Sequence, residues 1–219
     1  SFFGLLNPFG LLAGLISITM LIAHAGMWLQ LRTADAVAKR SAQYGRYALV
    51  VFIVLFAAAG FWVANINGYQ IVSMPDTQSH ADPLAKVVST AQGAWLNNYS
   101  ERPWTMTFPI LGFVMALSAL LFSKLNKPAL GLISTSIMLI GVIMTAGVSL
   151  FPFIMPSVNN PDISLTIWDA VSSHRTLNIM FVAVVIFIPL ILAYTTWCYV
   201  KMWRRVTVDE IENNTHGSY

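Results

Sequence analysis

Charge and cysteine are what this sequence has least of. Asp, Glu, Lys and Arg make up 10% of its 219 residues, against about 25% in an ordinary soluble domain. A single cysteine, Cys198, excludes a disulfide framework and a cysteine-ligated metal cluster. The net charge of +3 is too small to argue for a nucleic-acid partner. No Gly-rich phosphate loop and no nucleophile elbow occurs. What is left is largely hydrocarbon. Hydrophobic residues make up 57% of the chain and the mean hydropathy is +0.68. That balance implies an integral membrane protein.

A bilayer core takes about 20 apolar helical residues to cross. Five runs reach that length or come close to it, at 9–31, 47–65, 105–122, 129–150 and 176–200, and none contains Asp, Glu, Lys or Arg. Pro109 falls in the first turn of the third, where its missing N–H costs nothing, and Pro189 falls inside the fifth, where a kink is expected. The basic residues divide by side. Arg32, Lys39, Arg40 and Arg46 follow the first run, Lys124 and Lys127 the third, and Lys201, Arg204 and Arg205 the fifth. The other two connections hold only Lys86, Arg102 and Arg175. The positive-inside rule then places the N-terminus of this chain outside and its C-terminus in the cytoplasm. Trp28, Trp62, Trp104, Trp197 and Trp203 fall near run ends, where an aromatic belt or end packing belongs.

The connection 66–103 is too long to be bare linker. Asp82-Pro83 has the form of a helix start, and Leu84, Val87, Val88, Ala91 and Trp95 recur at helical spacing. A short amphipathic surface helix is expected there. Thr207-Val-Asp-Glu210 predicts a second short helix in the tail. The stretch 151–174 is expected to be an ordered outer cap. Pro152 and Pro156 stop the fourth span, and Asn159, Asn160, Pro161 and Asp162 supply a turn. Thr166-Ile-Trp-Asp169 opens a short helix with Trp168 at the interface, and Ser172 or Ser173 caps the fifth span.

Within the spans His24 is the one ionisable candidate among acids, bases and histidines. Gly10, Gly14, Ser17, Leu21 and His24 share one face of the first span. Small residues on such a face let helices approach closely. The plain reading is a hydrogen bond from His24 to a neighbouring helix. A proton relay, or a contact to a bound quinone or lipid headgroup, is the functional alternative. A bis-His haem site has no second in-span histidine, since His80, His174 and His216 lie in loops or the tail. A His24–Met pair with Met138, Met144 or Met180 is the remaining haem arrangement. Ser134, Met138, Gly141 and Thr145 form a packing stripe on the fourth span.

Phe151-Pro-Phe-Ile-Met-Pro-Ser157 followed by Ser164-Leu-Thr-Ile-Trp-Asp-Ala170 resembles subunit II of the cytochrome bd-type ubiquinol oxidases. So do Leu5-Leu-Asn-Pro-Phe-Gly-Leu-Leu-Ala-Gly14, Leu29-Gln-Leu-Arg-Thr33, Gly93-Ala-Trp-Leu96, Thr196-Trp-Cys-Tyr199 and Asp209-Glu-Ile-Glu-Asn-Asn-Thr-His216. The resemblance runs in order along essentially the whole chain. It implies the C-terminal portion of that subunit, with the family's intramembrane carboxylates in a preceding half. It implies an all-α integral membrane fold of five transmembrane helices, the last four (45–200) forming a four-helix bundle. Residues 1–31 would be an outer entry segment and first helix, 66–103 and 151–175 outer loops, and 201–219 a cytoplasmic tail. The implied role is a haem-free structural subunit of an oxidase in the bacterial inner membrane. That complex oxidises quinol, reduces dioxygen to water and builds a proton gradient without pumping. The b-type and d-type haems belong to the partner, subunit I, and membrane lipids or quinone are further partners. No catalytic, cofactor or metal residue carries over to this chain. His24 is left as an intramembrane contact, and Trp168 and Asp169 as cap residues. The competing reading is a fragment of a secondary transporter. Such proteins use broken helices and mid-membrane polar groups, hinted at here only by Pro189 and His24.

Overall fold

The computed structural model describes residues 6–73, 84–201 and 203. Five long helices dominate: α1 (Pro8–Arg32), α2 (Asp35–Val63), α4 (Thr107–Lys124), α5 (Pro128–Leu150) and α6 (His174–Lys201), with the short α3 (Asn97–Glu101) before α4. A 3-10 turn, Pro103–Met106, extends α4 at its start. All five long helices are long and apolar enough to cross a membrane, and the chain is an all-α membrane protein. Inside a bilayer no water satisfies backbone groups, so apolar runs of this length become helices whose N–H and C=O groups pair internally. Local signals set the ends. Asn7 accepts from the Gly10 N–H at 2.6 Å, and Pro8 takes the first helical position. Pro128 opens α5 in the same way.

The α1–α2 connection is only Thr33 and Ala34. Lys39, Arg40 and Arg46 therefore lie on the first turns of α2, which begins about three turns before the apolar run. The two helices touch backbone to backbone. A Cβ added to Gly26 would stand 2.7 Å from the Gly45 Cα. α4 and α5 meet likewise, since a Cβ on Gly141 would stand 2.9 Å from the Gly112 nitrogen. The two hairpins join through α1 against α5 and α2 against α4. Ile16, Met20, Ala23 and Met27 of α1, Leu49 and Phe52 of α2, Ala116 and Ala119 of α4 and Met138 of α5 form the core. Phe52, Phe56 and Phe113 stack through it, with centroids 5.5 and 4.9 Å apart.

The helices that pack most extensively on one another here are α1, α2, α4 and α5. α6 buries no residue and runs unbroken through Pro189. The reason lies in composition. α1, α2, α4 and α5 each contain glycine where a neighbour comes close, whereas α6 contains none. Its near-continuous Leu, Ile, Val and Phe surface has no groove for a neighbouring backbone. It reaches the bundle at the basic end, where Tyr199 meets Trp28 edge to face at 5.7 Å. There Arg32 donates to the Trp203 carbonyl, its guanidinium 4.9 Å from the Trp28 ring centre and 3.8 Å from that of Trp203.

At the opposite end two small sheets form a cap. β1 (Asn67–Ser73) pairs antiparallel with β2 (Val87–Gln92), and β3 (Phe153–Met155) with β4 (Leu165–Thr166). The amphipathic helix expected across Leu84, Val87, Val88, Ala91 and Trp95 is corrected: Val87–Gln92 is a strand and Trp95 lies in a 3-10 turn. β-branched Val87, Val88 and Thr90 favour the pleat, and burial changes at single-residue steps, Val88 at 8% exposed beside Val87 at 52%. Asp82 and Pro83, the expected helix start, lie outside the described residues, as do His80, His216 and the tail pattern Thr207–Glu210.

Candidate functional site

Two places gather polar side chains that an apolar chain has little reason to bury. The first lies within the bundle. His24 on α1 faces α5, its Nδ1 2.9 Å from the Thr135 hydroxyl. Thr135 is fully buried, and its hydroxyl also donates to the Leu132 carbonyl at 2.9 Å. The Thr135 hydroxyl is thus shared between the His24 ring and the Leu132 carbonyl. A cavity of about 390 Å³ adjoins it, lined by His24, Ala25, Trp28, Leu132, Ser136 and Tyr199. One helical turn or more toward the basic end, Gln30 and Ser123 exchange two bonds. The Gln30 amide donates to the Ser123 carbonyl at 3.4 Å, and the Ser123 hydroxyl to Gln30 Oε1 at 3.1 Å. Of the methionines considered as haem ligands with His24, Met138 is in the hydrophobic core and Met144 and Met180 face outward. Among the described residues no three His, Cys, Asp or Glu side chains converge as a metal site.

The second place is the cap. Tyr69, Trp95 and Phe153 form an aromatic triangle with centroids 5.2, 5.9 and 6.1 Å apart. The Tyr69 hydroxyl donates to the Ser157 carbonyl at 2.7 Å, and the Val88 N–H donates to Asp162 at 2.8 Å. Asn98 donates to the Val148 and Phe151 carbonyls at 2.8 and 2.6 Å, covering acceptors that the end of α5 leaves open. Beneath these lies an ion pair, Lys86 Nζ to Asp169 Oδ2 at 2.7 Å, with side-chain exposures of 0% and 7%. Asp169 Oδ2 also accepts from the Thr166 hydroxyl at 2.7 Å and the Thr166 N–H at 3.1 Å. Burial opposes ionisation of Asp169, but the bonds from Lys86 and Thr166 outweigh it and hold its carboxyl below the usual carboxylate range.

Each residue singled out from sequence has a definite place. Trp168 meets Phe151 edge to face at 6.1 Å, Asp169 joins Lys86 and Thr166, and His24 lies in the bundle far along the chain from both. The cap and the histidine are not brought together. Thr166 and Asp169 do exchange the bonds of a capping box, but around a single turn and not a helix. Here Asp169 is committed to Lys86, and the Ile167 N–H is committed to the Pro152 carbonyl. Ser173, one of the two serines expected to cap the fifth span, receives the Thr176 N–H at 3.4 Å. Lys86 was missed. Its signal was a lone cation inside the apolar run Leu84-Ala-Lys-Val-Val88.

Paired helix hairpins with glycine contacts, a polar bond across the bundle and an aromatic cap define a multi-pass helical membrane protein. Comparison with known proteins makes this specific. The chain belongs to the cytochrome bd terminal oxidase subunit II family, whose model matches residues 1–202. It is 43% identical over its whole length to the cytochrome bd-I ubiquinol oxidase subunit 2 of Escherichia coli strain K12. It is 40% identical, again over its whole length, to a probable cytochrome oxidase subunit 2 of Haemophilus influenzae. The chain spans 58% of the length of each of these relatives.

Proposed function

We propose that this chain is the C-terminal portion of subunit II of a cytochrome bd-type quinol oxidase and serves it as a haem-free structural element. The complex it joins oxidises quinol, reduces dioxygen and builds a proton gradient without pumping. The b-type and d-type haems sit on a partner, subunit I, and lipid or quinone contacts complete the assembly. The complex resides in the bacterial inner membrane, with the N-terminus of this chain outside and its C-terminus in the cytoplasm. The observation that carries this reading is the family match across residues 1–202. The engagement of the in-span His24 by Thr135 supports a packing role. Affinity purification of the full-length subunit from its membrane tests it. A haem-bearing partner and quinol oxidase activity should co-purify, and both should leave together when the partner is removed. A Soret band at near one haem per chain, retained by this polypeptide without its partner, would overturn the reading.

A further inference from the structure

The two helix hairpins end side by side at the basic end of the bundle, and a cleft of about 680 Å³ lies between them. Asp35, Lys39, Gln43 and Arg46 form its α2 wall, and Gln30, Asn126 and Pro128 face them. The α2 residues recur every three or four positions and so share one helix face. Lys39 and Arg46 make no ion pair among the described residues. Gln43 and Gln30, in contrast, are already bonded, to Tyr47 and Ser123. The cleft therefore presents two uncommitted cations against one carboxylate.

The backbone marks the same place. Among the described residues the non-glycine positions with positive φ are Asp35 and Asn126, both at 53°, and both line this cleft. L-residues enter that region at some cost, and Asp and Asn tolerate it best. Asp35 turns the chain straight from α1 into α2, and Asn126 turns it from α4 into α5. The two tight reversals keep the cleft open between hairpin ends that would otherwise be filled by loop.

We propose that this cleft binds a phosphate anion, supplied as the headgroup of an anionic phospholipid or as soluble phosphate. Arg46 lies one residue before the apolar run of α2, at the depth of headgroup phosphates, where its planar fork can hold two oxygens. Lys39 lies seven residues earlier on the same face, roughly 10 Å toward water, as a second point charge. Basic recesses between transmembrane helices recruit anionic headgroups in this way. The positive-inside rule accounts for the sign of these residues. It does not account for their enclosure, since Arg40, Lys124 and Lys127 share this end of the molecule and stay outside the cleft.

Native mass spectrometry of the assembled, delipidated complex tests the site. The titrants are phosphatidylglycerol, phosphatidylcholine and inorganic phosphate. The double variant Lys39→Gln/Arg46→Gln should bind phosphatidylglycerol roughly thirty-fold more weakly than the parent at low ionic strength. Arg40→Gln and the charge-preserving Lys39→Arg, which leaves the Arg46 fork in place, should bind as the parent does. If the double variant does not assemble, Lys39→Gln alone, at an exposed position, carries the comparison. Binding of inorganic phosphate that the double variant loses, with no preference for phosphatidylglycerol, upholds the site and assigns it a soluble anion. Binding of both phosphatidylglycerol and inorganic phosphate that is the same in parent and double variant overturns it, whatever phosphatidylcholine does.

Discussion

A lysine with 2% of its surface exposed is costly to bury, and Lys86 is tolerable because Asp169 answers it at 2.7 Å. Such a pair adds little over two apolar residues of the same volume, but removing one partner leaves the other charge stranded. Asp169→Asn should therefore destabilise the cap by about 3–5 kcal/mol. Replacing both residues by apolar ones should cost much less than the sum of the single changes. Acid should act as the mutation does. The folded carboxyl titrates below its unfolded counterpart, whose value is about 4. The pair's contribution is thus complete above that unfolded value and lost as pH falls through the lower folded one. Hydrogen-exchange protection of amides 165–170, corrected for intrinsic rates, measures both effects. Protection in Asp169→Asn equal to the parent's would refute the assignment. Asp169 was legible in the sequence as half of a capping box with Thr166, because that pattern is local. Its true charge partner stands in another loop, and no local rule connects them.

At the scale of elements, lipid did most of the specifying. Each apolar run had to be a helix, so the spans were readable from composition, and prolines and asparagines marked several ends. Outside the bilayer that constraint lapses. The polar start of α2 continues as helix beyond the apolar run, and residues 87–92 became a strand although Val88, Ala91 and Trp95 also suit a helix. The hairpin is decided by partners, Tyr69 with Trp95 and Phe153, and Asp162 with the Val88 N–H. Helix pairing was partly legible through glycine. Gly26 and Gly14 both lie on α1, yet a Cβ at Gly26 would meet the Gly45 backbone while one at Gly14 would meet nothing within 4 Å. Gly26→Ala should thus force α1 and α2 apart at a cost of about 1–3 kcal/mol, the usual range for overpacking. Gly14→Ala should be neutral or slightly stabilising, since alanine is the better helix former. Thermal unfolding of the two variants in detergent separates these outcomes, and equal midpoints would refute the close α1–α2 contact.

The whole molecule has two unlike ends joined by apolar helices. One carries Arg32, Lys39, Arg40, Arg46, Lys124 and Lys127, and the other an aromatic cap whose one buried cation is matched by a carboxylate. That asymmetry is what insertion reads, because basic residues near span ends resist translocation and neutral loops do not. The connections at the cap end hold only Lys86, Arg102 and Arg175, a weaker signal than that of the basic end. The cap should therefore face outside and the basic end the cytoplasm. Within the connection 66–103 the residues 74–83 lie outside the described residues, and Asp162 of the cap is engaged by the Val88 N–H. Val158, 90% exposed at the cap, and Arg40, exposed on α2, serve as probes instead. In a Cys198→Ser background, a membrane-impermeant maleimide should label Val158→Cys in spheroplasts. Arg40→Cys should react only in inverted vesicles. The test needs no assumption about haem or quinol, because it reads the charge distribution alone. Labelling of Val158→Cys solely from the inverted side would reverse the topology and move the phosphate cleft to the outer leaflet.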